Sequence, residues 1–204
     1  MKLICVAGHS GAGKTTLIKS LIRRLPEAKT ITCDKFMFES VSHYRTQFEE
    51  MFNFSVDETD CANSFRRGTK NIAPVKLGAY FKLIVPYVER RIIDVIGEMK
   101  KQGTNYLFID WLALPYFNLW ASSDYRILVH SPEALRADNL KGRLLNEGYS
   151  LDDAMEQVKL RYPAVLDVIE NANPRADFTV HNKYDKSLRG EAEQILKSIR
   201  KYMR

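Results

Sequence analysis

Short, largely apolar runs alternate along the chain with longer stretches of helical periodicity. The runs predict strands buried on both faces of a sheet, and they cover residues 3–7, 29–33, 106–109, 125–129 and 176–180. Apolar residues three and four apart predict helices over residues 14–25, 75–101 (interrupted at Pro86), 132–146, 151–170 and 186–204. Strands alternating with helices in this way indicate a three-layer α/β fold with a parallel sheet of about five strands.

Residues 36–72 fit neither pattern, because they are aromatic, mixed in charge and without a clean period. We expect one domain over residues 1–204, in which residues 36–100 form an inserted acceptor-binding cap with its helices. Residues 136–162 are expected to form a lid that carries arginines.

A glycine-rich segment joins the first predicted strand to the first predicted helix. It reads GHSGAGKT over residues 8–15 and fits the phosphate-binding pattern G-x-x-x-x-G-K-[ST]. Glycines let backbone N–H groups converge on a phosphate, and the helix N-terminus adds partial positive charge. Lys14 can reach the β- and γ-phosphates, and the Thr15 hydroxyl can join a magnesium shell. The predicted nucleotide-binding residues here are Gly8, His9, Ser10, Gly11, Ala12, Gly13, Lys14, Thr15 and Thr16. This segment is the P-loop of a nucleoside triphosphatase fold.

Two aspartates follow predicted strands and are expected at the same edge of the sheet. Asp34 can accept a proton from an attacking hydroxyl or hold a magnesium-bound water, and it is the predicted catalytic and acceptor-binding carboxylate. Asp110 is the expected second carboxylate near magnesium, so the predicted metal site is Thr15, Asp34 and Asp110. The alternatives are a helix cap for Asp34 and a strand-end turn for Asp110.

Three later segments resemble dephospho-coenzyme A kinases: VHSPE at residues 129–133, EGYSLDDA at 147–154 and ADFTVHN at 176–182. The N-terminal segment GKTTLIKSLIRRLPEAKTITCDKFMF also resembles uridine and nicotinamide riboside kinases. The resemblance covers residues 2–35 and 105–200. It implies transfer of the ATP γ-phosphoryl, with Mg²⁺, to a hydroxyl of a small phosphate-bearing or nucleoside acceptor, most similar to dephospho-coenzyme A. It also implies that Asn182 lies at the nucleotide.

Four arginines are candidates for binding phosphate. Arg136 and Arg143 lie seven apart on one helix face and would serve the lid as catalytic cations, while Arg66 and Arg67 would bind the acceptor. The alternative for each is an ordinary exposed arginine. The sequence departs from the dephospho-coenzyme A kinase pattern at Asn146, where an arginine is usual, and at Thr32-Cys33, which replace an acid-containing pair.

Two other classes of function stay open. Asn182-Lys183-Tyr184-Asp185 matches the guanine motif N-K-x-D of GTP-binding switches, although the segment from Asp110 lacks the switch pattern D-x-x-G. A catalytically silent nucleotide-binding module is the other alternative, because an arginine and an acid of the kinase pattern are missing.

The net charge of +6 suits an anionic partner, but no aromatic-interleaved motif indicates nucleic acid. The three cysteines are too far apart for a zinc pair or a disulfide framework, which indicates a reducing compartment. No apolar run predicts a signal peptide or a membrane span, so we expect a cytoplasmic protein without membrane partners. No feature of the sequence specifies an oligomeric state.

Overall fold

The computed structural model describes residues 1–69, 74–161, 175–185 and 187–202. The strands in these ranges are β1 Lys2–Gly8, β2 Ala28–Thr32, β3 Tyr106–Asp110, β4 Tyr125–His130 and β5 Phe178–His181. They form one parallel sheet in the order β2-β3-β1-β4-β5. The predicted three-layer α/β fold with five strands is therefore confirmed. The extent of the single domain over residues 1–204 stays a prediction.

Helices connect the strands and cover both faces of the sheet. In the described ranges they are α1 Lys14–Ile22, α2 Asp34–His43, α3 Arg45–Phe52, α4 Cys61–Gly68, α5 Pro74–Lys101, α6 Asn118–Ser122, α7 Glu133–Asn146, α8 Leu151–Arg161 and α9 Arg189–Tyr202. Short 3-10 turns lie at Glu58–Asp60 and Leu114–Tyr116. Residues 162–170, 186, 203 and 204 of the predicted helices lie outside the described ranges. None of the helices in the described part of the chain is both long and apolar enough to cross a membrane.

Alternate residues of the central strand β1 face two separate cores. Ile4 and Val6 are fully buried against α1 and α9, whereas Cys5 and Ala7 are fully buried on the side of α2, α5 and α6. A period of two is what a strand buried on both faces requires. Each large apolar side chain buried in this way contributes about 1.5–3 kcal/mol, so both helical layers hold the sheet in place.

The sequence left residues 36–72 without an assigned structure, and the described part of them, up to residue 69, contributes to three helices, α2 to α4, packed beside α5. Their aromatic residues form one cluster, in which Phe48 lies 4.6 Å from Phe52 and 5.3 Å from Tyr80 between ring centroids. The Tyr80 hydroxyl and Ser40 Oγ share a 3.0 Å hydrogen bond in this core. The short helices hide their period because each contributes only a turn or two to the buried face. We call α2 to α5 the helical cap, and its role in binding an acceptor stays a prediction.

Helix α5 runs from Pro74 to Lys101 with Pro86 inside it, so the predicted interruption at Pro86 is wrong. Proline lacks one N–H and usually kinks a helix. Here Ile84 and Val88 on either side of Pro86 are fully buried. Packing on both sides of the proline therefore compensates for the lost hydrogen bond.

The order of the strands also locates the site. The chain passes from β1 to β2 and β3 on one side of the sheet, and then crosses to β4 and β5 on the other side. Ligands of open α/β sheets bind at the carboxyl ends of the strands where the order reverses. That position is the end of β1, where the P-loop begins, beside the end of β3 at Asp110.

Candidate nucleotide and acceptor site

The P-loop connects β1 to α1 through residues with left-handed backbone. Gly13, which precedes the first residue of α1, has a φ of 102°. A side chain at this position would be strained, and its Cβ would lie 2.4 Å from Asn182 Nδ2. Glycine therefore lets α1 begin at Lys14 with its N-terminus towards the loop.

Lys14, Thr15 and Asp110 meet at the end of β3. Thr15 Oγ1 donates a 3.0 Å hydrogen bond to Asp110 Oδ2, and Lys14 Nζ lies 3.9 Å from Asp110 Oδ1. Lys14 Nζ also donates to the carbonyl oxygen of His9 at 3.2 Å. Burial raises the pKa of Asp110 above its ordinary value, and the Lys14 ammonium and the Thr15 hydroxyl oppose that rise. The three side chains predicted to handle phosphate and magnesium are thus brought together.

Asp34 lies at the start of α2, on the wall of the same cavity as Lys14, Thr15 and Asp110. The residue that caps α2 is Cys33 and not Asp34. The Asp34 side chain is exposed, and among the described residues it forms no hydrogen bond or ion pair. The alternative prediction, that Asp34 is the N-cap of α2, is therefore wrong.

Two carboxylates and a hydroxyl suit magnesium, which binds protein oxygens in small number and keeps waters and substrate phosphates as its other ligands. Thr15 and Asp110 are already within hydrogen-bonding distance of one another, and Asp34 shares their cavity. No cluster of three or more histidine, cysteine or acidic side chains that could hold a metal unaided occurs in the part of the chain that the structure describes. The donor set fits an ion that arrives with a nucleotide.

A cavity of about 220 Å³ extends from the P-loop into the helical cap. The charged residues that line it are Lys14, Asp34 and Asp110 at the P-loop, together with Arg143 and Glu147. Its cap end is mainly aromatic and apolar. The residues lining that end are Met37, Phe38, Phe65, Thr69, Phe81, Trp111 and Leu112. The arrangement can hold a planar ring in the cap while a polar group faces Asp34.

The cavity adjoins a second, more open one of about 450 Å³ between α4 and the α7–α8 turn. Glu147 and Gln157 line both cavities. Arg67, predicted to bind the acceptor, lines the second cavity with Asn63 from the same helix. The Arg66 side chain lies outside the described residues.

The two predicted lid arginines have different environments. Arg136 is 2% exposed, and its Nη1 donates a 3.2 Å hydrogen bond to the carbonyl oxygen of Ser10 in the P-loop. Arg143 is half-exposed, lies 3.6 Å from Glu147 through Nε and lines the 220 Å³ cavity. Only Arg143 therefore stands at the cavity, and Arg136 binds the loop backbone.

Asn182 binds the P-loop from the end of β5. Its Nδ2 donates to the carbonyl oxygen of Ala12 at 2.9 Å, and its Oδ1 accepts from Tyr184 N at 3.0 Å. Tyr184 has a φ of 57°, and its hydroxyl hydrogen-bonds the carbonyl oxygen of Gly11. Asn182 thus contacts the P-loop itself, and its predicted place at the nucleotide stays a prediction.

His9 is a buried member of the P-loop. Burial lowers its pKa to about 4, with smaller contributions from Arg136, Lys14 and His130. At neutral pH the imidazole is therefore uncharged, and the positive charge at the loop comes from Lys14 and Arg136.

The sequence reasoning missed residues that line or support the site. Trp111 directly follows Asp110, so its position after a strand end was a usable signal for a cavity residue. Asn139 donates to the carbonyl oxygen of Gly11 at 3.0 Å, and it follows Arg136 by three positions on the same face of α7. The cap aromatics gave no signal, because only tertiary packing brings them to the cavity.

Comparison with known proteins gives a partial match in sequence and nearly full-length matches in fold. No family model matches the chain. A uridine kinase from Borrelia hermsii is 29% identical over 104 residues, which is 51% of this chain and 45% of that protein. The chain thus matches less than half the length of this curated relative.

Two solved structures cover almost all of the chain at 18% identity. TT1252 from Thermus thermophilus superposes with a TM-score of 0.63 over 97% of this chain and 95% of its own. Dephospho-CoA kinase from Campylobacter jejuni gives 0.53 over 98% of each chain. The resemblance predicted from the sequence is confirmed, and the chain has the fold of these two solved structures.

Proposed function

We propose that the chain is an ATP-dependent kinase that transfers the γ-phosphoryl group to a hydroxyl of a small acceptor. One observation carries the proposal: Lys14, Thr15, Asp110 and Asp34 line the phosphate end of a cavity whose other end is an aromatic pocket in the cap. A phosphate donor and a ring-bearing acceptor would meet in this one space.

In the proposed reaction the acceptor oxygen forms a bond to the γ-phosphorus, the bond from that phosphorus to the β–γ bridging oxygen breaks, and ADP leaves. The acceptor proton passes to the Asp34 carboxylate, which is exposed in the cavity and has no competing partner among the described residues. Lys14 and Arg143 stabilise negative charge on the transferred group. Magnesium, when bound, neutralises charge on the β- and γ-phosphates, and Thr15 and Asp110 are the residues that would hold it.

The acceptor of this proposal is nucleoside-like, with a planar ring and a free hydroxyl. A dephospho-coenzyme A kinase-like reaction is the first form of the proposal and is consistent with the sequence segments at residues 129–154 and 176–182. Its acceptor carries a phosphate-bearing arm, for which Arg67 in the adjoining 450 Å³ cavity is the available cation.

A nucleoside kinase is the second form, and the lining of the 220 Å³ cavity favours it. The cap helices contribute Met37, Phe38, Phe65 and Phe81 to the lining of this cavity, and none of these side chains is a cation. A neutral nucleoside would fill the cap end without needing a charge partner, since burying an unpaired phosphate is costly. A cytoplasmic location belongs to the same proposal, and the free thiols of Cys5, Cys33 and Cys61 are consistent with it.

The test is an acceptor panel with Mg·ATP, scored by ADP release and by mass of the phosphorylated product. Dephospho-coenzyme A, uridine, nicotinamide riboside and nucleoside monophosphates belong in the panel. Lys14→Ala should abolish most turnover, since it removes a charge-assisted contact of about 1.5–3 kcal/mol. Lys19→Ala, an exposed lysine on the same helix, is the matched control and should keep wild-type activity. Absence of any phosphorylated product, or full activity of Lys14→Ala, would refute the proposal.

A further inference from the structure

Three consecutive carbonyl oxygens of the P-loop accept hydrogen bonds from side chains that lie outside the loop. The donors come from two elements, helix α7 and the segment after β5. Arg136 Nη1 binds Ser10 O at 3.2 Å, Asn139 Nδ2 binds Gly11 O at 3.0 Å, and Asn182 Nδ2 binds Ala12 O at 2.9 Å; the Tyr184 hydroxyl also binds Gly11 O. We call Arg136, Asn139, Asn182 and Tyr184 the outer clasp.

The planarity of the peptide bond gives these contacts a second effect. In a trans peptide unit the C=O and the following N–H point in opposite directions. The carbonyls of Ser10 and Ala12 point towards the clasp. The N–H groups of Gly11 and Gly13 therefore point to the other face of the loop, away from the clasp. The N–H of Ala12 is used inside the loop, where it donates to His9 O at 3.1 Å. Arg136 and Asn182 thus orient the N–H groups of Gly11 and Gly13, which an anion would need, while Asn139 and Tyr184 hold the peptide unit between them.

The glycines of the loop show how closely the clasp approaches it. A Cβ on Gly11 would lie 2.7 Å from the Arg136 carbonyl oxygen. A Cβ on Gly13 would lie 2.4 Å from Asn182 Nδ2. Both glycines also have positive φ values, of 83° and 102°. The glycine pattern of the loop is therefore required by the clasp on the outside as well as by a phosphate on the inside.

The clasp members also hold one another. Asn139 Nδ2 lies 3.0 Å from the Tyr184 hydroxyl, so α7 and the segment after β5 are joined over Gly11. The Tyr184 N–H donates to Asn182 Oδ1 at 3.0 Å, which fixes the amide whose nitrogen binds Ala12. The two elements therefore act on the loop as one connected unit.

We propose that Asn139, Asn182 and Tyr184 are positioning residues that preorganise the P-loop for the β- and γ-phosphates of the nucleotide. The proposal rests on the proposed function, because the anion it concerns is the phosphate chain of ATP or ADP. None of the three needs to touch the nucleotide. Asn182 acts by keeping the Gly13 N–H aimed before the nucleotide arrives, and Asn139 and Tyr184 act by fixing the Gly11 carbonyl between the two aimed N–H groups. Both effects lower the cost of binding.

The experiment compares ADP and AMP affinity by calorimetry in Asn182→Ala, Asn139→Ala, Tyr184→Phe and the double variant Asn139→Ala/Tyr184→Phe. AMP lacks the β-phosphate that the loop would bind. Each single variant should weaken ADP binding by about 2- to 10-fold, as expected for one neutral hydrogen bond, and leave AMP binding unchanged. The double variant should lose more than the product of its singles, because Gly11 O then has neither donor.

Asn146→Ala, at the exposed end of α7, and Tyr106→Phe, on β3, are the matched controls and should bind ADP as the wild type does. Every variant should remain fully folded at the temperature of the assay, as judged by its thermal midpoint without nucleotide, which separates positioning from a loss of fold. Equal losses for ADP and AMP, or no loss in the double variant, would overturn the inference and leave the proposed function standing. A wild type that binds neither nucleotide would refute both.

Discussion

At the scale of single residues, two carboxylates stand at one cavity in contrasting environments. Asp110 is 6% exposed and hydrogen-bonded to Thr15, while Asp34 is exposed and unpaired among the described residues. We expect Asp34→Asn to lower kcat by about 10²-fold, as for loss of a positioned general base, with little change in Mg·ATP affinity. Steady-state kinetics and Mg·ATP titrations on this variant measure both quantities.

Asp94→Asn, on the exposed face of α5, controls for the loss of one surface charge and should have wild-type kcat. Weakened Mg·ATP binding in Asp34→Asn would instead assign Asp34 to magnesium. An unchanged kcat would remove it from the mechanism and leave Asp110 to be tested.

His9 makes the stability of the protein depend on pH. Burial lowers its folded-state pKa to about 4 from the ordinary 6.5, so the unfolded chain binds the proton more readily. The contribution of His9 to the free energy of unfolding should therefore have its full value above about pH 6.5 and decrease as the pH falls towards about 4. His9→Gln should lose less stability than the wild type between about pH 7 and pH 5 in urea titrations. His43→Gln, an exposed histidine on α2, is the control. An equal loss in His9→Gln and wild type would contradict the assignment.

At the scale of elements, one face of α7 contacts both the P-loop and the 220 Å³ cavity. Its first half is attached to the P-loop through Arg136 and Asn139, and its last turn brings Arg143 to the cavity. We expect Arg143→Gln to lower kcat by about 10-fold or more, since one cation near the transferred group is lost, while ADP affinity is retained. Lys141→Gln, two residues away and paired with Asp138, should keep wild-type kcat. Equal kinetics for the two variants would exclude Arg143 from catalysis.

At the scale of the whole molecule, nucleotide binding and stability are linked. A ligand that binds only the folded state adds about 2.7 kcal/mol of stability at a hundred times its Kd. We expect Mg·ATP to raise the thermal midpoint more than Mg·GTP at equal concentration, and Lys14→Ala to lose the increase. A larger increase with GTP that disappears in Asp185→Ala would favour the guanine-binding alternative, for which Asn182-Lys183-Tyr184-Asp185 is the sequence motif.

Parts of this fold and site were predictable because they depend on local patterns. The strands show as apolar runs, and the P-loop is a contiguous motif whose glycines, lysine and threonine have fixed roles. The roles of Arg136 and Asn139 depend on where α7 lies against the loop, which helical periodicity does not encode. The cap was hidden because α2 to α4 bury their aromatics against α5, a contact between distant parts of the chain.

Trp111 gives the protein an optical reporter at the cavity. The chain has two tryptophans, and the other, Trp120, is buried on α6 and is not among the residues that line the cavity. Trp120→Phe would therefore leave a single emitter, packed 5.2 Å from Phe117 between ring centroids and directly after Asp110. Its emission wavelength and quenching by acrylamide would change as an acceptor fills the cavity. Binding could then be followed in real time without a label and without turnover.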